Sequence, residues 1–178
     1  VQAAPATAPV IEETAQRLRF ELEGVGFDGR LHAAPSGDAG IVWVFGSGGG
    51  LGGPAGGIYA RLGASLVSRG VTSLELDYRR LRDLESCVAD LLAGVAHLEG
   101  LGRKRIVLVG HSFGGRVVME AALRAPSVVG VAALSSVDAP GVVERLAPRS
   151  LLLLHGQADE VVPASVSVGL FKRAGEPK

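Results

Sequence analysis

Short runs of apolar, β-prone residues recur along this chain, and most of the segments between them carry helical spacing. The runs are Ile41–Phe45, Val71–Leu76, Arg105–Val109, Val128–Leu134 and Ser150–Leu154. Each is too short for a fully buried helix and lacks the alternation of a half-wet strand, so each reads as a strand covered on both faces. The clearest helix spans Asp83 to Leu98, where Leu84, Val88, Leu91, Val95 and Leu98 form one apolar stripe. Asp83 is placed to cap it or to sit in its first turn, and Gly100 and Gly102 stand where it should stop. Ile58–Ser68 and Gly114–Arg124 read as helices too. Strand and helix in steady alternation mean parallel strands joined by right-handed crossovers. The expected fold is therefore α/β, a three-layer sandwich around a mostly parallel sheet.

The N-terminal part has a different pattern. Arg17 to Glu23 alternates polar and apolar residues, as a strand with one wet face does. A turn around Gly26, Asp28 and Gly29 then leads to a second extended stretch, Arg30–Ala34, which predicts an antiparallel hairpin at one end of the sheet. Residues 1–16 read as a flexible N-terminal segment, with Val1 to Pro9 rich in alanine and proline. Residues 17–178 read as a single domain.

Charge and cysteine usage narrow the function classes. Eighteen basic residues balance eighteen acidic ones, so no long-range field favours nucleic acid or anionic lipid. No apolar stretch approaches the ~20 residues needed to span a bilayer, and the cytoplasm is the default location. Cys87 is the only cysteine, which excludes an intrachain disulfide and a cysteine zinc cluster. It lies on the apolar side of the second helix and reads as core. No metal or cofactor is expected.

The sharpest chemical signal is Gly110-His111-Ser112-Phe113-Gly114-Gly115, directly after the strand Ile106-Val107-Leu108-Val109. This is G-x-S-x-G between a buried strand and a helix. A serine lifted onto so sharp a turn needs a strained backbone, and the residues two positions away must be small. Gly110 and Gly114 supply that room. The helix that follows aims its free N–H groups towards the serine oxygen. Ser112 is thus the candidate nucleophile, against the alternative of a glycine-rich turn serving packing alone.

With this motif the chain resembles the α/β-hydrolase superfamily, in particular its small dienelactone-hydrolase-like or esterase-like members. The resemblance runs from about Ile41 to Lys178 and rests on two further places. One is Phe45-Gly46-Ser47-Gly48-Gly49-Gly50 after the first buried strand. In the family this loop donates a backbone N–H to the oxyanion hole, and the residue after the nucleophile donates the other. The resemblance thereby implies Ser47 or Gly48, with Phe113, as donors. Many relatives open this loop with His-Gly where Phe45-Gly46 stands here. A phosphate-cradling reading of Gly46 to Gly53 fails, because no Gly-Lys-Ser/Thr follows and no G-x-G-x-x-G opens a helix in this unit.

The other place is Leu151 to Pro163, which contains His155-Gly156-Gln157-Ala158-Asp159-Glu160-Val161-Val162-Pro163. Relatives carry a similar His-Gly-x-x-Asp-x-x-Val-Pro, whose aspartate is the acid of the triad, so the resemblance implies that role for Asp159. Asp77-Tyr78-Arg79 also has parallels in the family. It is read as an aspartate–arginine pair holding a loop, with Tyr78 lining a pocket.

A triad of this family runs Ser, acid, His, and none of His32, His97, His111 and His155 follows Asp159. The catalytic histidine is accordingly expected beyond Lys178, with a last strand and helix that would cover Leu151–Leu154. On that reading the chain is an incomplete α/β-hydrolase domain. The implied function is hydrolysis of a carboxylic ester or related acyl compound through an acyl-enzyme on Ser112, with a small-molecule substrate. The alternative is a relative without the base that binds an acyl-like ligand or a partner protein without turnover. About fifteen residues separate Leu134 from Ser150, so little room exists there for a lid.

Overall fold

The computed structural model describes residues 15–178. Most of the segment expected to be flexible, residues 1–14, lies outside the described residues. The strands are β1 (Gln16–Leu22), β2 (Val25–His32), β3 (Ala39–Val44), β4 (Val71–Leu76), β5 (Arg105–His111), β6 (Val128–Leu134) and β7 (Ser150–Leu154). The helices are α1 (Pro54–Leu66), α2 (Leu84–Gly100), α3 (Phe113–Ala122) and α4 (Ser165–Arg173). The strands form one sheet in the order β1-β2-β4-β3-β5-β6-β7. β1 and β2 pair antiparallel, β2 meets β4 antiparallel, and every other pairing is parallel.

Strand periodicity divides the apolar residues between two faces. Val42, Val44, Ile106 and Leu108 enter the larger core with Leu91, Val95 and Met119 from α2 and α3. Ile41, Trp43, Val107 and Val109 turn to the opposite face, where α1 brings Ile58, Tyr59 and Leu66 against them. Continuous apolar runs in β3 and β5 thus report burial on both faces, and the three-layer α/β sandwich follows.

One local expectation is corrected. The hairpin turn lies at Glu23 and Gly24, both with positive φ, rather than around Gly26 to Gly29. Those glycines are inside β2, where Gly26 faces the tip of the Arg19 side chain and Gly29 lies against the ring of Phe20, which a Cβ would crowd. The helix expected over Ile58–Ser68 holds: α1 opens at Pro54, but Ala55, Gly56 and Gly57 have left-handed backbone and regular helix starts near Ile58. The Arg61 guanidinium binds the carbonyls of Ala55 and Gly56 at 3.0 and 2.6 Å and closes that irregular turn. β7 is last in the order, and Leu152 and Leu154 on it are both 54% exposed. The α2 expectation holds in detail, since Asp83 caps the helix and accepts the Ser86 N–H. Among the described residues no helix is long and apolar enough to cross a membrane.

Candidate active site

The parallel strands end in register, which brings their following loops to one edge. Val44 is level with Leu76 on one side and Gly110 on the other, and Leu134 is level with His111 and Leu154. Asp77, Phe45, Ser112, Ser135 and His155 therefore follow one another along the carboxyl end of the sheet. Open α/β sheets bind their ligands there.

Ser112 joins β5 to α3 with φ 55° and ψ −120°, a backbone region that residues with a Cβ rarely enter. Its N–H donates to the Leu134 carbonyl at 2.8 Å, and its own carbonyl accepts from Gly115 at 3.0 Å. The flanking glycines are sterically required. A Cβ on Gly110 would overlap the Gly114 carbonyl, one on Gly114 the Phe45 carbonyl, and one on Gly115 the Ser136 hydroxyl.

The glycine loop after β3 passes beside this elbow. A Cβ on Gly46 would stand 3.5 Å from the Cβ of Ser112. The Gly49 N–H donates to the Gly46 carbonyl at 3.0 Å, closing a turn with Ser47 and Gly48 at its centre. The two central N–H groups of such a turn are not used in closing it. The N–H of Phe113, in the first turn of α3, lies among those that a helix leaves without an intrahelical acceptor.

Asp159 is fixed on the loop after β7. Its Oδ1 accepts the N–H groups of Val161 and Val162, both at 2.9 Å. These bonds, Val162 first, hold its carboxyl below the usual aspartate range. Its Oδ2 lies 3.5 Å from His155 Nε2. The His155 ring is bound on both sides, with Nδ1 2.6 Å from the Ser167 hydroxyl and Nε2 2.7 Å from the Val162 carbonyl. A carbonyl can only accept, so Nε2 carries the proton and Nδ1 accepts from Ser167.

The profile of the alpha/beta hydrolase family matches residues 17–175. The chain belongs to the alpha/beta hydrolase family. Solved structures of similar fold include the α/β hydrolase GrgF from Penicillium sp. sh18, at 16% identity and a TM-score of 0.78, covering 92% of this chain and 87% of that one. The esterase domain of a Rhodothermus marinus protein is 22% identical with a TM-score of 0.74, covering 92% and 84%. Est1E from Butyrivibrio proteoclasticus is 20% identical with a TM-score of 0.70, covering 89% and 84%. These likenesses concern the fold. A search of curated protein sequences finds no match.

Within this alpha/beta hydrolase the remaining candidates fall into place. Asp77 and Arg79 do not pair with one another. Asp77 Oδ1 accepts from Gly50 at 2.6 Å and from Tyr78 at 2.7 Å, whereas Arg79 binds Asp90, Glu23 and the Leu22 carbonyl. Arg79 thus ties β1 and α2 together, and Asp77 is left to hold the glycine loop. Tyr78 lies under that loop, buried, with its hydroxyl on the Phe45 carbonyl at 3.1 Å and its ring edge-on to Phe113. Cys87 is fully buried; its thiol faces the Arg80 carbonyl, and burial pushes its pKa up to about 12.

The four histidines occupy separate settings. His32 is fully buried at the end of β2, His97 stands edge-on to Phe20, and His155 is held as described. His111 packs its ring against Phe45 at 5.2 Å, and burial lowers its pKa while the Asp159 carboxylate acts in the opposite direction. Sequence reasoning passed over Glu75, which is 1% exposed and accepts the Gly52 N–H at 2.6 Å. Its signal was visible: one carboxylate inside the otherwise uncharged strand Val71–Leu76.

Proposed function

We propose that this alpha/beta hydrolase is a serine hydrolase that cleaves a carboxylic ester, or a related acyl bond, of a small molecule through an acyl-enzyme on Ser112. The observation that carries the reading is the φ 55°, ψ −120° backbone of Ser112 at the strand–helix junction. That strain lifts one hydroxyl out of the sheet edge, and such strain is held only where the surroundings enforce it.

In the proposed reaction, Ser112 Oγ attacks the acyl carbon as its proton passes to a histidine base. The carbonyl oxygen becomes an oxyanion held by the Phe113 N–H and that of Ser47 or Gly48. The imidazolium returns its proton to the leaving alcohol, and water then releases the acid by the same steps. Asp159, whose carboxylate two amides stabilise, orients the imidazole and stabilises its charged form.

The test uses the natural full-length protein. It should hydrolyse short aryl esters and be labelled by a fluorophosphonate at Ser112, and Ser112→Ala should abolish both. Labelling that survives Ser112→Ala undiminished would overturn the assignment.

A further inference from the structure

Three alternate residues along β4 and just past its end, Ser73, Glu75 and Asp77, are polar where β3 beside it, and β5 beyond β3, present Ile41, Trp43, Val107 and Val109. Ser73 accepts the indole N–H of Trp43. The other two reach forward under the glycine loop. Glu75 Oε2 accepts the Gly52 N–H at 2.6 Å, and Asp77 Oδ1 accepts the Gly50 N–H at the same distance. Side chains two apart on a strand project alike, so these carboxylates bind amides that are likewise two apart.

Other bonds fix the loop around these points. The Tyr59 and Tyr78 hydroxyls hold the Val44 and Phe45 carbonyls at 3.2 and 3.1 Å, and the Tyr59 N–H holds the Gly52 carbonyl at 3.0 Å. Ser47 and Gly48 remain at the centre of the turn, beside Ser112.

Glu75 is an unfavourable residue to bury for packing alone. Taking a carboxylate out of water is expensive, and an apolar side chain would fill this face at less cost. Its compensation is incomplete. Oε1 has no hydrogen-bond partner among the described residues, and only Arg30 at 3.5 Å and His32 Nε2 at 3.9 Å approach it. The one full hydrogen bond goes to the glycine loop.

We propose that Glu75, through Gly52, and Asp77, through Gly50, are positioning residues that set the oxyanion-donating turn against Ser112. The inference rests on the serine-hydrolase reading for its catalytic meaning, but not for the contact itself. Donors aimed at a developing charge act only if held in place beforehand, and a misplacement of about 1 Å costs on the order of 100-fold in rate. Glycine residues give the loop close approach but no stiffness; the carboxylates supply it.

The experiment compares the natural protein with Glu75→Gln and Glu75→Leu, following amide hydrogen exchange at Gly50 and Gly52 and the rate of fluorophosphonate labelling. In the unaltered protein both amides should exchange at least ~100-fold more slowly than in an unfolded chain. Glu75→Leu should release the Gly52 amide and slow the saturated labelling rate by ~10- to 100-fold, with little change in half-saturating concentration. Glu75→Gln keeps an acceptor oxygen and should restore both to within a few-fold. Wild-type exchange and labelling in Glu75→Leu would overturn the proposal, as would equal loss of labelling in both variants with Gly52 still protected. Should Glu75→Leu not fold, unprotected Gly52 in the unaltered protein is itself sufficient to overturn it. An unaltered protein that no phosphonate labels would sink the hydrolase reading, and Gly52 exchange would still decide the clamp.

Discussion

Gly114 lies directly against the carbonyl oxygen of Phe45, with no space for a Cβ between them. One contact therefore sets the distance between the helix that follows Ser112 and the loop that carries Ser47 and Gly48. Backbone on the far side cannot rotate away as a side chain could. Gly114→Ala should push α3 from the loop, destabilising the protein by about 1–3 kcal/mol and lowering ester turnover by ~100-fold. Gly100, at the end of α2, supplies the contrast, because a methyl group there would meet nothing within 4 Å. Gly100→Ala should leave activity intact and raise stability by up to about 1 kcal/mol. Urea denaturation and initial rates on the two variants decide the matter; equal behaviour would refute the steric argument.

Ser112 itself should show strain. At ordinary positions alanine is more stabilising than glycine, because glycine gives the unfolded chain more freedom. At φ 55° and ψ −120° the order should reverse, since only glycine enters that region without penalty. Ser112→Gly should be more stable than Ser112→Ala by about 1 kcal/mol, and both should be inactive. Thermal unfolding of the pair is the measurement. Alanine proving the more stable of the two would mean that the elbow is relaxed.

How much of this was legible in the sequence depended on the range of the interaction. Ser112 and its glycines were readable because the elbow's constraints act within a few residues: the strand, the turn and the helix start are contiguous. The helix Leu84–Gly100 was readable for the same reason, from its stripe and its Asp83 cap. The β2 glycines misled because the neighbour that crowds Gly29, the Phe20 ring, lies on another strand. Glu75 was passed over since its partner, Gly52, is distant in sequence and joins it only when β3 and β4 pair. The partners of Asp77 and Arg79 were misassigned likewise: proximity in sequence suggested a pair, but the folded chain gives them different neighbours.

His155 should matter without touching the substrate. Its ring bridges the Ser167 hydroxyl and the Val162 carbonyl, and Val162 is one of the two residues whose N–H groups bind Asp159. His155→Phe keeps a ring but leaves both partners without their bonds. A stability loss of about 1–3 kcal/mol is expected from the unpaired polar groups. Turnover should fall because the acid loop is no longer fixed, while Ser112→Ala in the same background should still remove what remains. Full turnover in a loosened His155→Phe protein would show that Asp159 needs no support from this ring.

The Asp159 carboxylate gives a pH signature whose sign is fixed by its bonds. Val162 and Val161 amides hold its folded pKa below the unfolded aspartate value, so the unfolded chain binds the proton more readily. A depressed acid contributes stability that is complete above the unfolded pKa, about 3.9, and is lost as pH falls through the folded value. Asp159→Asn cannot titrate and should be less stable than the unaltered protein at pH 7. The gap should narrow as pH drops below about 4 and close once the native carboxyl is protonated. Urea midpoints of the two proteins between pH 7 and pH 3 test this directly. A gap that stays constant over that range would mean that the loop is held by hydrogen-bond geometry alone, with the charge of Asp159 contributing nothing to the fold.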